Sequence, residues 1–110
     1  MIDWERVAEL RDEVGEDAFD EVADLFISEV DAAVARLRSG VDLATLDRDL
    51  HFLKGASLNL GFDGFARLCK DGEQAAAAGR AAEVDVPAIL AAYDASRAEF
   101  LSRGPMRDAG

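Results

Sequence analysis

The chain has 110 residues, half of them hydrophobic and 32% charged, with a formal net charge of −11. That length holds one domain with one modest core, and the balance is that of a folded chain rather than a disordered one. The acidity excludes nucleic acid and anionic membrane as natural partners, because both reward Lys and Arg, and no apolar run approaches the roughly 20 residues of a bilayer span.

Helical spacing recurs along the chain, with no repeat, no proline-rich linker and no alternating strand pattern. A short first helix is predicted after Asp3, a good N-cap, with Val7, Leu10 and Val14 buried and Gly15 as its stop. A longer helix follows over about 17–38. Phe19, Val22, Ala23, Phe26, Val30, Ala33, Val34 and Leu37 step by three or four along one stripe, and Ser39-Gly40 closes it. The third helix is predicted over about 42–60, with the seam Leu43, Leu46, Leu50, Leu53, Ser57, Leu60 and a stop at Gly61. The fourth starts near Asp63 and places Phe65, Leu68, Cys69, Ala75 and Ala76 on one side. The last has Asp85 as its cap and Pro87 in its first turn, where a missing N–H costs little. Val86, Ile89, Leu90, Tyr93, Arg97, Phe100 and Leu101 share its face, and Gly104-Pro105 ends it.

Helices joined by short loops become antiparallel neighbours. The expected fold is therefore all-α: an up-down antiparallel four-helix bundle over residues 1–104 with a short N-terminal capping helix, then a flexible C-terminal tail at 105–110. The start Met1-Ile2-Asp3-Trp4-Glu5 lacks the basic-then-apolar pattern of a secretory signal, and the lone Cys69 has no partner for an internal disulfide. A cytoplasmic monomer is expected. The net charge favours a partner with a basic rim, although acidity also serves solubility.

His51 is the single histidine, in the string His51-Phe52-Leu53-Lys54-Gly55-Ala56-Ser57-Leu58-Asn59-Leu60-Gly61. At about 100° per residue it lies roughly 130° from the leucine seam, on the wet face of the third helix. Asp47 and Arg48 sit one turn before it, Lys54 and Gly55 one turn after, and Ala44 and Leu58 two turns away on the same side. Gly55 removes bulk beside the ring, so that another backbone can approach; the plainer reading of a lone glycine is a tight helix crossing or a tolerated weakness in the helix. Leu58 offers an apolar anchor. Lys54, which taken alone is an ordinary solvated charge, supplies a point charge suited to phosphate oxygens.

An imidazole titrates near neutrality and is a competent nucleophile there. There is no second histidine for a metal site, no serine–histidine–acid spacing, and no glycine-rich phosphate loop after a strand. The residues offer a nucleophile and a phosphate contact, but not a complete active site.

Read from His51, Lys54, Gly55, Ala56, Ser57, Leu60 and Gly61, the string resembles the His-x-x-Lys-Gly-[Ala/Ser]-Ser-x-x-Leu-Gly motif of histidine-containing phosphotransfer (HPt) domains. Leu68-Cys69 and Glu73 resemble the Leu-Cys-x-x-Leu-Glu stretch of that family's next helix, with Gly72 where a leucine is usual. The length, the helix order and the short capping helix agree as well. The resemblance implies that His51, through an outward Nε2, takes a phosphoryl group from the aspartyl phosphate of a receiver domain and passes it to another receiver aspartate, without kinase activity of its own. It implies Lys54 as the phosphate-contacting residue and Gly55 as the small residue that lets the receiver dock. The motif does not fix a role for Arg48 as a second cation near the phosphate. Leu58, Ala44 and Asp47 complete the expected docking face.

No cofactor is implied for this chain, since Mg²⁺ belongs to the receiver partner. The partners implied are receiver domains of response regulators and hybrid histidine kinases. Two alternatives remain at this point. One is the phosphorylatable domain of a larger chemotaxis-type histidine kinase, against which these residues show no dimerisation or ATP-binding segment. The other is a non-catalytic adaptor that binds receivers, which has no need of an intact nucleophile.

Overall fold

The computed structural model describes residues 2–103, and its regular structure there is helical. Asp3 opens α1 (Trp4–Val14) as foreseen. Its Oδ1 accepts hydrogen bonds from the backbone N–H of Glu5 and Arg6 at 3.1 and 3.2 Å. Gly15, with φ 88°, ends α1 by donating to the Arg11 carbonyl at 2.8 Å and passes directly into α2 (Glu16–Ser39). The stripe of α2 is Phe19, Ala23, Ile27, Val30, Ala33, Val34 and Leu37. Ile27 joins it, while Val22 and Phe26 lie at its half-buried edge.

α3 (Leu46–Asn59) begins four residues later than the spacing predicts. The Asp42 carboxylate accepts from the Ala44 N–H at 3.0 Å and the Asp42 carbonyl from the Thr45 N–H at 3.1 Å. Such local bonds compete with the helical ladder, and here they fold 42–45 into a turn. Two expectations fail for that reason. Leu43 is 51% exposed instead of heading the seam, and Ala44 sits in the turn rather than on the helix of His51. The rest of the seam holds: Leu46, Leu50, Leu53, Ser57 and Leu60 are all buried.

α4 (Asp63–Ala75) buries Phe65, Ala66, Cys69 and Gly72, and leaves Leu68 exposed where the sequence placed it inside. A π turn (Ala76–Arg80) prolongs α4 until Gly79, at φ 85°, breaks it, and a 3-10 turn (Ala81–Glu83) leads to α5 (Val86–Arg103). Asp85 caps α5, its Oδ1 accepting from the Ala88 N–H at 3.1 Å. The stop at Gly104-Pro105 and the tail at 105–110 lie outside the described residues.

α2 to α5 pack pairwise in chain order, and α2 also meets α5, so the four helices form a bundle around one core. Phe62 fills the end near α1. Its ring stands edge-on to Phe100 at 5.5 Å, and Trp4 of α1 stacks on the same Phe100 at 6.2 Å. The Asp3 N–H donates to the Gly61 carbonyl at 2.7 Å. Gly61 has φ 77°, and a Cβ there would stand 2.6 Å from the Asp3 backbone oxygen, so this close approach requires glycine. On the opposite seam Asp31 of α2 receives Arg97 through two bonds of 3.1 Å and the Tyr93 hydroxyl at 2.6 Å, which ties α2 to α5. Burial and the Asp31 bond hold the Tyr93 hydroxyl well above the usual phenol range, so it remains a donor.

Candidate functional site

α3 presents His51 in mid-helix, on the side away from the buried leucines, with its side chain 68% exposed. α4 supplies its partner. Glu73 places Oε2 at 2.8 Å from Nδ1 of His51 and Oε1 at 2.8 Å from Nζ of Lys54. One carboxylate therefore joins the imidazole and the cation one turn further along α3. Glu73 and Lys54 are partly covered, and the ring beside them is open to solvent.

The approach of α4 explains how Glu73 reaches. Gly72 is buried against α3, and a Cβ on it would stand 2.8 Å from Leu50 Cδ1, 3.2 Å from Val84 Cγ1 and 3.3 Å from Ile89 Cδ1. The missing side chain lets the two helices close, and the next residue lies at their shared edge. Gly72 is thus the helix-crossing glycine. Gly55 is not, because no atom lies within 4 Å of where its Cβ would be.

The Lys54 ammonium, ion-paired at 2.8 Å, is the largest influence on Glu73. With the His51 bond it lowers the Glu73 pKa from the ordinary 4.5, against the opposing effect of burial. Glu73 is therefore ionised at neutral pH and can only accept hydrogen bonds. A neutral His51 ring must then carry its proton on Nδ1, which leaves the lone pair on Nε2. That nitrogen is the one a second molecule meets.

Around this centre the sequence-predicted residues fall into two groups. Lys54 is joined to His51 through Glu73, and Leu58, 48% exposed, lies with Lys54 on the groove between α3 and α4. Gly55 gives an open patch beside the ring. Arg48 is exposed and pairs with no carboxylate among the described residues, and Asp47 is half-buried in the first turn of α3. Ala44 is displaced into the preceding turn.

Glu73 itself was legible only as part of a family motif, not as a site residue. The signal in the sequence is its place immediately after Gly72, on the margin of the buried stripe of α4. Cys69 lies beneath, fully buried. Burial first, and the Glu73 charge second, push its thiol up to about 12, so it is neutral and offers no second nucleophile. Among the described residues no group of three or more His, Cys, Asp and Glu is placed to hold a metal ion, and no helix is long and apolar enough to cross a membrane.

Compared with known proteins, the chain matches the sequence model of the Hpt domain family over residues 21–99, a span that takes in α3, α4 and most of α2 and α5. No curated protein and no solved structure gave a match.

Proposed function

The chain belongs to the Hpt domain family, whose members carry out histidine phosphotransfer in phosphorelays, and from that premise we propose that His51 is the phosphoryl carrier between receiver-domain aspartates. One observation supports this above all: an exposed imidazole whose Nδ1 is held by an ionised carboxylate has its lone pair on the outward nitrogen.

In the proposed step Nε2 attacks the phosphorus of an aspartyl phosphate presented by a receiver. The P–O bond to the receiver carboxyl breaks, the carboxylate leaves with its electron pair, and a P–N bond forms. The ring keeps its Nδ1 proton and becomes cationic as the bond forms. Glu73 faces that developing charge at hydrogen-bond distance, which is where fixed electrostatic support is most effective. It acts through the ring as a positioning residue. Lys54, one turn from His51, is the contact for the phosphoryl oxygens, and it exchanges part of its pairing with Glu73 for them as the anion arrives. Transfer to a second receiver aspartate reverses each step.

A bare helical surface cannot exclude water or neutralise a transferring phosphoryl group, so the receiver must supply the rest of the active site, including the divalent ion that the family resemblance assigns to it. Gly55 gives the receiver backbone access, and Leu58, with Asp47 and the nearby Ala44 turn, forms the contact surface around the ring. The test is transfer from a purified phosphorylated receiver. The expected result is acid-labile, base-stable phosphate on the wild-type chain and none on His51→Gln. Equal labelling of that variant would overturn the proposal.

A further inference from the structure

The charge of −11 is spread unevenly. α2 alone has seven acids against two arginines. In one groove beside His51 the balance is slightly positive. The groove between α3 and α4 is lined by Lys54, Leu58, Asp63, Ala66, Arg67 and Lys70 and encloses about 250 Å³. Three cations line it, but Lys54 is paired with Glu73 and Arg67 with Asp63, so the excess is one positive charge. Arg67 is tethered to Asp63 at 3.2 Å across one turn and remains 71% exposed, and Lys70 pairs with no carboxylate among the described residues. Leu58 and Ala66 give it apolar sides, and Leu58 is open to solvent.

On a strongly acidic molecule, a cationic groove next to the nucleophile is an orienting device. An acidic partner is repelled by α2 and drawn toward this edge, so that encounter favours bringing its acidic surface to His51. The phosphoryl group to be transferred is an anion on an aspartate, so the surface that presents it meets that requirement. The basic-rimmed partner expected from net charge alone fits the α2 side and not this one.

Resting on the phosphoryl-carrier reading, we propose that the α3–α4 groove is the docking seat for the receiver, with Leu58 as its apolar anchor and Arg67 and Lys70 pairing with carboxylates on the rim of the receiver's phosphorylation site. This places the receiver across α4 as well as α3, on residues outside the His51 motif.

The test uses the receiver that labels the chain fastest among the purified receivers of the source organism. The double variant Arg67→Glu, Lys70→Glu is expected to raise the apparent KM for that phospho-receiver by about tenfold and to flatten the dependence of transfer on salt. A receiver variant with one rim carboxylate changed to lysine is expected to recover part of the loss. Phosphoramidate labels His51 by exchanging its P–N bond for one to Nε2 with release of ammonia, needs no docking, and is expected to act equally on both chains. Unchanged KM and salt dependence would overturn the proposal, as would a parallel fall in phosphoramidate labelling. If phosphoramidate leaves wild-type His51 unlabelled, the carrier reading itself fails.

Discussion

Glu73 and His51, 22 residues apart on neighbouring helices, meet at 2.8 Å between Oε2 and Nδ1, and the other oxygen of the same carboxylate holds Lys54 at 2.8 Å. This pairing fixes the orientation of an exposed imidazole and, in its neutral form, its tautomer, as the proposed carrier role of His51 requires. It also makes the site depend on how closely α4 approaches α3.

Removing the carboxylate separates orientation from fold. Glu73→Ala is expected to slow phosphotransfer by roughly 10- to 100-fold, by analogy with carboxylates that orient metal-ligating histidines. Nitrogen NMR of the ring provides the readout that a merely structural role would not move. The Nδ1–H tautomer is expected to dominate in the wild type and to lose ground to Nε2–H in the variant. Unchanged tautomer populations would remove the role assigned to Glu73.

The lowered pKa of Glu73 sets the sign of a pH dependence. Its ionised form is favoured in the folded state, so its contribution to stability is fully present above the ordinary value of 4.5 and is lost as pH falls through the depressed one. In urea unfolding, the wild type is expected to exceed Glu73→Gln near neutrality, and the margin is expected to shrink as pH falls below 4.5. A margin that persists into acid would contradict the ionised assignment.

The two mid-helix glycines are expected to respond with opposite signs. Gly55→Ala places its Cβ in open space, and it is expected to gain up to about 1 kcal/mol from helix propensity. Gly72→Ala meets Leu50, Val84 and Ile89 in a filled interior. Overpacking there is expected to outweigh the propensity gain and cost about 1 kcal/mol net. Denaturant midpoints measure both. Gly55→Arg is expected to keep the fold and slow transfer from receivers, whereas an unchanged rate would count against the open patch as a docking surface.

Cys69 tests the packing of α4. Its thiol, pushed up to about 12, is expected to resist thiol reagents at pH 8 while the chain is folded and to react on unfolding. Unfolded thiol ionises from about its ordinary 9.0 upward while the folded one stays protonated, so stability is expected to fall as pH rises above that value. Rapid labelling of the folded chain would contradict the buried placement.

The helix order and the outward direction of His51 were legible because each rests on a local pattern: caps at Asp3 and Asp85, stops at Gly15 and Gly61, and a seam from Leu46 to Leu60 that leaves one side wet. Leu43 and Ala44 were misplaced because periodicity cannot show that Asp42 would accept bonds from the backbone of its own turn. The role of Glu73 depends on which helices touch and how closely, and that information sits in Gly72, a residue with no side chain to form a pattern. The cationic groove escaped notice for a related reason. Its lysines and arginine come from two helices of a chain in which acids outnumber Lys and Arg by 23 to 12.

The central claim is that Nε2 of His51 takes the phosphoryl group while Nδ1 stays protonated against Glu73. Long-range proton–nitrogen NMR of the chain phosphorylated by a receiver tests this most directly. The expected result is phosphorus bonded to Nε2 with the proton retained on Nδ1, and phosphate on Nδ1, or on neither ring nitrogen, would contradict it.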